Sequence, residues 1–100
     1  MLFVAVVSAE ANQIFIRVQN NTGFTIRSIF VRPAGSSQWG SNRMSGTLSS
    51  GRYFDVRGLR PGRYDIAVQD TDGDWYRKRN WGLNSGGSFT ATFTLSDIDP

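Results

Sequence analysis

The feature that most constrains this chain is an apolar period of two, which recurs from residue 12 onward. In the first such stretch, Ile14, Ile16 and Val18 alternate with mostly polar neighbours. The same alternation returns in residues 63–69 and 89–95. A period of two is typical of half-buried β-strands, and no stretch beyond residue 12 shows the 3.6-residue period of a helix. The pattern therefore predicts an all-β fold.

Polar turns rich in Asn, Asp, Gly and Pro separate the strand patterns. The predicted strands cover residues 13–19, 24–32, 52–56, 63–69, 75–80 and 89–95. Short strands with regular turn signals favour an antiparallel β-sandwich of about six or seven strands, of the immunoglobulin or fibronectin type. A small open β-barrel is the alternative.

The second predicted strand, residues 24–32, changes register along its length. Its apolar residues move from even to odd positions between Ile26 and Ile29. One extra residue near Arg27 and Ser28 would restore the facing of the apolar side chains. We therefore predict a β-bulge at that point.

Two further segments have local signatures. Residues 36–51 are Ser- and Gly-rich, with Trp39 among the few large apolar anchors. A crossover between two sheets would explain this length, with one helical turn near residues 42–45. Residues 75–80 are polar on both faces, which predicts an edge strand.

The predicted core collects the apolar residues that share the inward positions of these strands. Its members are Ile14, Ile16, Val18, Ile26, Ile29, Val31, Leu48, Phe54, Val56, Tyr64, Ile66, Val68, Phe89, Phe93 and Leu95.

Residues 1–11 resemble the end of a secretory signal peptide. An apolar run precedes Ala9 and Ala11, whose spacing fits the small-residue cleavage pattern. Cleavage there would leave one domain, residues 12–100, and the loss of Glu10 would raise its net charge from +3 to +4. The apolar run is too short to span a membrane. A first β-strand is the alternative, and the signal interpretation predicts an exported protein, periplasmic or extracellular.

Composition excludes the common active sites. The sequence has no cysteine and no histidine, which rules out disulfides, thiol nucleophiles, histidine triads and zinc sites built on those residues. Glu10 is the only glutamate. A chain of 100 residues suits one small domain and leaves little material for a catalytic cleft. We therefore expect a protein that is not an enzyme.

Five motifs in fixed order carry a resemblance. They are NNTGFTI at residues 20–26, WG at 39–40, LRPGRYDI at 59–66, DTDGD at 70–74 and FTLSD at 93–97. In this order they resemble a family of small exported bacterial β-sandwich proteins of uncharacterised function. The resemblance covers nearly the whole chain from residue 20, and it implies an exported single-domain β-protein.

An acidic hairpin is the first candidate site. Asp70, Asp72 and Asp74 stand at alternate positions, a spacing that lets carboxylates converge on a hard cation. The match to a calcium loop of the EF-hand type is partial, because Gly73 is fourth and Trp81 occupies the twelfth position. Weak Ca²⁺ binding is one interpretation, and this ion is the only cofactor that the sequence suggests. The other is a solvated turn whose residues suit the backbone.

A strand rich in arginine and tryptophan is the second candidate. Alternation would place Trp75, Arg77, Arg79 and Trp81 on one face, and Trp39 is a further candidate for contact with a ligand or partner. Such side chains can contact a protein or a sugar ring, and they can stack on bases beside phosphates. The alternative is an edge strand that charge protects from aggregation.

These observations favour a non-enzymatic exported interaction domain with a protein or glycan partner at the cell envelope. A weak Ca²⁺-binding structural domain is one alternative. A binder of polyanions or nucleic acid through the Arg/Trp strand is another, although no nucleic-acid fold signature accompanies the arginines and an exported domain rarely meets a genome.

Overall fold

The computed structural model describes residues 14–84 and 87–99. The predicted signal remnant, residues 1–11, lies outside the described residues. The strands are β1 (Phe15–Asn21), β2 (Ile26–Pro33), β3 (Tyr53–Arg57), β4 (Gly62–Asp70), β5 (Trp75–Leu83) and β6 (Ser88–Thr94), followed by a 3-10 helix (Leu95–Asp97). No helix within the described ranges is long and apolar enough to cross a membrane.

The strands form two three-stranded sheets, ordered β3-β1-β6 and β2-β4-β5. This arrangement confirms the all-β prediction and is consistent with a small β-sandwich. One pairing differs from the predicted antiparallel pattern, because β1 and β6 run parallel. Alternation defines which face of a strand is buried but carries no signal for the direction of a partner distant in sequence.

One hydrophobic cluster contains residues of both sheets. The predicted core residues confirmed as buried are Ile16, Val18, Ile26, Ile29, Val31, Leu48, Val56, Tyr64, Ile66, Val68 and Phe93. Three others are partly buried against the cluster, namely Ile14, Phe54 and Phe89. The prediction is wrong for Leu95, which is 53% exposed. β6 ends at Thr94 and a 3-10 helix begins at Leu95, so the alternation no longer applies.

The core also contains four residues that the predicted core does not include, of which Ala91 shares its strand face with Phe89 and Phe93. These are Met44, Tyr76, Leu83 and Ala91. Tyr76 is fully buried, although its strand has a polar sequence on both faces. Its burial depends on a hydrogen-bonding partner in the hairpin that precedes it.

The predicted bulge in β2 is confirmed. The register between β2 and β4 shifts between Ile26 and Ser28. A second shift lies between β4 and β5, where Tyr64 pairs with Trp81 while Ile66 pairs with Lys78. This second irregularity determines how the tryptophans of β5 are arranged.

Residues 36–51 connect the two sheets, as the sequence predicts. The predicted helical turn near 42–45 is wrong, because this stretch forms bends. The side-chain oxygen of Asn42 accepts the Ile29 N–H at 2.8 Å, and the Arg43 N–H donates to the Ile29 carbonyl at 2.7 Å. Main-chain groups at the free edge of β2 are satisfied by these bonds, which a helical turn would not supply.

Candidate binding surface

The acidic hairpin is organised around one buried carboxylate. Asp70 is 1% exposed. Its Oδ1 accepts the backbone N–H groups of Asp72 at 2.9 Å and Asp74 at 3.0 Å. Its Oδ2 accepts the hydroxyl hydrogen of Tyr76 at 2.8 Å. Asp70 therefore closes the turn and provides the buried tyrosine with an acceptor.

The other two carboxylates of the hairpin, Asp72 and Asp74, are exposed. Within the part of the chain that the structure describes, no three acidic residues are grouped so as to hold a metal ion. Both oxygens of Asp70 already accept hydrogen bonds. Calcium binding at the hairpin, the alternative that the sequence leaves open, would depend on the two exposed carboxylates.

The environment of Tyr76 changes its acidity. Burial, followed by the hydrogen bond to Asp70, raises the pKa of Tyr76 from 10.0 to about 12. Both causes act in the same direction, because a phenolate would lose its hydration and would face a carboxylate at hydrogen-bonding distance. The pair therefore favours the neutral phenol throughout the physiological pH range.

A backbone irregularity divides the tryptophans of β5 between two faces. Asn80 has a positive φ of 62°, and it lies in the register shift between β4 and β5. The shift pairs Trp81 with Tyr64, and Trp81 packs against the hydrophobic core. The prediction that Trp81 shares a face with Trp75 is therefore wrong, because the extra residue reverses the alternation.

The outward side of the β2-β4-β5 sheet carries an aromatic pair. Phe30 and Ala67 are paired neighbours, as are Ala67 and Arg77. The rings of Phe30 and Trp75 have centroids 5.6 Å apart, so side chains of the two flanking strands meet across β4. Ala67 is fully buried on this side, and its small side chain leaves room for the rings. The Arg77 guanidinium lies 5.1 Å from the centre of the Trp75 ring.

A second aromatic contact lies on the same side of the sheet. The guanidinium of Arg32 lies 3.9 Å from the centre of the Trp39 ring, and its Nε donates to Oδ2 of Asp65 at 2.9 Å. Asp65 is 5% exposed, and its Oδ1 accepts the Asn80 N–H. Residues from β2, β4, β5 and the crossover thus meet here. We define the aromatic–arginine face as Phe30, Arg32, Trp39, Trp75 and Arg77.

The basic residues of β5 are paired with acids. Asp99 lies 3.1 Å from Arg77 and 3.5 Å from Arg79, and Asp97 lies 3.2 Å from Lys78. Of the five predicted ligand residues, the structure brings Trp75, Trp39 and Arg77 to the aromatic–arginine face. Arg79 is not part of this face, and its side chain is 57% exposed.

The opposite sheet carries a second group that the sequence analysis missed. Arg17 donates two hydrogen bonds to Asp55, at 2.8 and 3.0 Å, and its guanidinium lies 3.8 Å from the centre of the Tyr53 ring. Arg57 lies 4.4 Å from the centre of the Phe15 ring. The sequence places these residues at alternate, outward positions of two strands. Only the pairing of β1 with β3 shows that the two sets of side chains are neighbours.

Phe30 and Arg32 are the functional candidates that sequence reasoning missed on the aromatic–arginine face. Their available signal was alternation with the buried Ile29 and Val31, which places them on the outward side of β2. Comparison of the chain with protein-family models, with curated proteins and with solved structures gives no match.

Proposed function

We propose that this chain is a non-enzymatic exported interaction domain of the cell envelope or the extracellular space. It binds a protein or glycan partner through the aromatic–arginine face. The observation that carries the proposal is the Phe30–Trp75 ring contact on the outward side of a sheet, beside a second tryptophan, Trp39, stacked with Arg32.

The chemistry of this face suits recognition. Tryptophan and arginine are the side chains most enriched where a protein interface contributes most of its binding free energy. Half-buried rings offer apolar area to a sugar ring or to an aliphatic side chain, and guanidinium groups offer planar hydrogen-bond donors.

The face is also held in place before any partner arrives. Asp65, which is 5% exposed, fixes Arg32. Side chains that are already ordered lose less conformational entropy on binding, which favours affinity. The pairing of the β5 cations with Asp97 and Asp99 lowers the local positive charge. This charge balance favours a protein or glycan over a polyanion.

A non-enzymatic role is supported by the use that the fold makes of its carboxylates. Asp55 binds Arg17, Asp65 binds Arg32, and Asp70 accepts the hydrogen bonds of the hairpin. Each is engaged in holding strands or turns together. A general acid or base needs a carboxyl group within reach of a bound substrate.

The test compares three immobilised forms of the full chain: the parent, Trp39→Ala/Trp75→Ala, and Tyr53→Ala as the matched control. Tyr53 is a 52% exposed aromatic on the other sheet. Each form is exposed to envelope extract of the source organism and to a panel of purified polysaccharides, and retained components are identified and quantified.

We expect one component to be retained by the parent and by Tyr53→Ala and to be lost from the double tryptophan variant by at least about tenfold, as expected when interface anchors are truncated. Equal retention by all three forms, or loss only from Tyr53→Ala, would contradict the proposal. Circular dichroism of each variant establishes that the fold is intact before the comparison.

A further inference from the structure

The free edge of β5 is partly covered by residues 97–99, which we call the strap. β5 is the last strand of its sheet. Ile98 of the strap forms an antiparallel bridge with Tyr76, and the Asp99 N–H donates to the Trp75 carbonyl at 2.7 Å. The strap therefore pairs with the beginning of β5 as a short added strand.

Opposite charges accompany this pairing. Three consecutive cations, Arg77, Lys78 and Arg79, follow the bridged residues of β5. Asp99 pairs with the two arginines on the outward side. Asp97 pairs with Lys78, whose ammonium group lies on the inner side near the Trp81 ring. The edge thus holds an acidic segment by main-chain pairing and by charge together.

The strap is held weakly. Ile98 is 39% exposed, so its apolar side chain is not an embedded anchor. A cavity of about 230 Å³, lined by Gly73, Asp74, Trp75, Ile98 and Asp99, lies where the strap meets the hairpin. The Asp97 carboxylate also accepts the Thr94 N–H at 2.8 Å. No side chain of the strap is buried, and contacts between partly exposed groups contribute little to stability, which allows local opening at low free-energy cost.

Beyond the strap, this edge is open to pairing as far as Asn80, whose carbonyl and N–H are engaged by the side chains of Arg63 and Asp65. Among the described residues, no main-chain group outside β4 hydrogen-bonds to the backbone of residues 78–83. Exposed edge strands of this kind are templates for the addition of an extended segment, with affinity from main-chain hydrogen bonds and specificity from side chains.

We propose that the edge of β5 is a binding site for an acidic extended segment of a partner protein, and that the strap occupies this site as an internal stand-in. The incoming segment displaces residues 97–99, pairs with the main chain of β5, and places carboxylates against Arg77, Lys78 and Arg79. This site goes beyond the function proposed above, because the ligand pairs with the main chain at the β5 edge and shares only Arg77 with the aromatic–arginine face.

The test uses the full chain and a fluorescein-labelled peptide with the sequence of residues 93–99, Phe-Thr-Leu-Ser-Asp-Ile-Asp. Fluorescence polarisation measures its binding to the parent and to Asp97→Asn/Asp99→Asn, in which the internal stand-in has lost its charges. A scrambled peptide of the same composition separates strand pairing from general attraction between opposite charges.

We expect the double Asn variant to bind the peptide about tenfold more tightly than the parent, because the three ion pairs of the competing strap are lost. Adding Arg77→Gln/Arg79→Gln should abolish that binding. Arg57→Gln/Arg60→Gln is the matched control, since it removes the same charge away from β5 and should leave the peptide affinity unchanged.

Three results would overturn the proposal. They are equal binding of the scrambled peptide, absence of peptide binding by a folded Asp97→Asn/Asp99→Asn variant, and dimerisation of that variant by size-exclusion chromatography, which would assign the edge to a second copy of this chain. Backbone amide NMR signals provide a second measurement. During titration with the peptide, the signals of residues 75–79 should shift more than those of any other strand. The capture experiment at the aromatic–arginine face substitutes neither the strap nor the cations of β5, so its failure leaves these outcomes unchanged.

Discussion

The phenolic oxygen of Tyr76 lies 2.8 Å from Oδ2 of Asp70, and both side chains are buried. This contact joins the end of β4 to the second residue of β5 across the hairpin. The other oxygen of Asp70 accepts two backbone N–H groups of the turn. A single carboxylate thus satisfies a buried hydroxyl and closes the hairpin from which Trp75 projects.

Removal of this carboxylate should destabilise the domain. Asp70→Ala leaves the Tyr76 hydroxyl and the N–H groups of Asp72 and Asp74 without their acceptor, so we expect a loss of about 2–4 kcal/mol in the free energy of unfolding. Urea denaturation measures it. Asp72→Ala is the matched control, because Asp72 is exposed and its truncation should cost less than about 0.5 kcal/mol. Similar losses in both variants would contradict the role assigned to Asp70.

The same contact predicts a loss of stability at alkaline pH. The pKa of Tyr76 is raised in the folded state, from 10.0 to about 12, so the native state retains its phenolic proton longer than the unfolded chain does. The resulting stabilisation is fully present below pH 10 and is lost as the pH rises towards 12. Its size is on the order of 2–3 kcal/mol.

Tyr76→Phe isolates this contribution from the other groups that titrate at high pH. We expect the difference in unfolding free energy between parent and variant to shrink as the pH is raised from 10 to 12. Urea denaturation at a series of pH values measures it. A difference that stays constant across this range would show that the Tyr76 pKa is not raised in the folded state.

The exposed carboxylates of the hairpin allow a direct test for calcium. Since both oxygens of Asp70 are engaged, we expect calorimetric titration with Ca²⁺ to give no binding heat in the millimolar range typical of weak extracellular sites. A saturable heat that disappears in Asp72→Asn would establish the calcium-binding alternative instead.

The irregularity of β5 depends on one residue with a left-handed backbone. Asn80 has φ 62°, a conformation that glycine adopts freely and that costs alanine about 1 kcal/mol or more. Asn80→Gly and Asn80→Ala both lose the side-chain bond to Arg63. We therefore expect the Ala variant to be about 1 kcal/mol less stable than the Gly variant in urea denaturation. An Ala variant as stable as the Gly variant would contradict the assigned backbone.

Local patterns were sufficient to predict much of the fold. Alternation indicated the strands and most of the core, the register change indicated the bulge at Ile26 and Ser28, and the polar sequence of residues 75–80 indicated an edge strand. Each of these depends on which face of a strand is apolar, and sequence reports that property directly.

Features that depend on distant partners were not predictable in this way. The sequence around Tyr76 predicts a polar strand, whereas the burial of its hydroxyl requires Asp70 as a hydrogen-bond partner. Alternation predicts that Trp81 lies on the same face as Trp75. Only the pairing of β4 with β5 reveals the extra residue that turns Trp81 inward. Alternation therefore predicts which face a candidate site residue occupies only as far as the next register shift in its strand.

The central claim is that a partner binds the aromatic–arginine face. The chain has three tryptophans, so its indole N–H groups give three NMR signals that can be assigned by substitution. Titration of the ¹⁵N-labelled full chain with the component retained in the capture experiment should shift the signals of Trp39 and Trp75 and leave that of Trp81 in place. Unchanged Trp39 and Trp75 signals, with shifts confined to amides of β1, β3 or β6, would contradict the account.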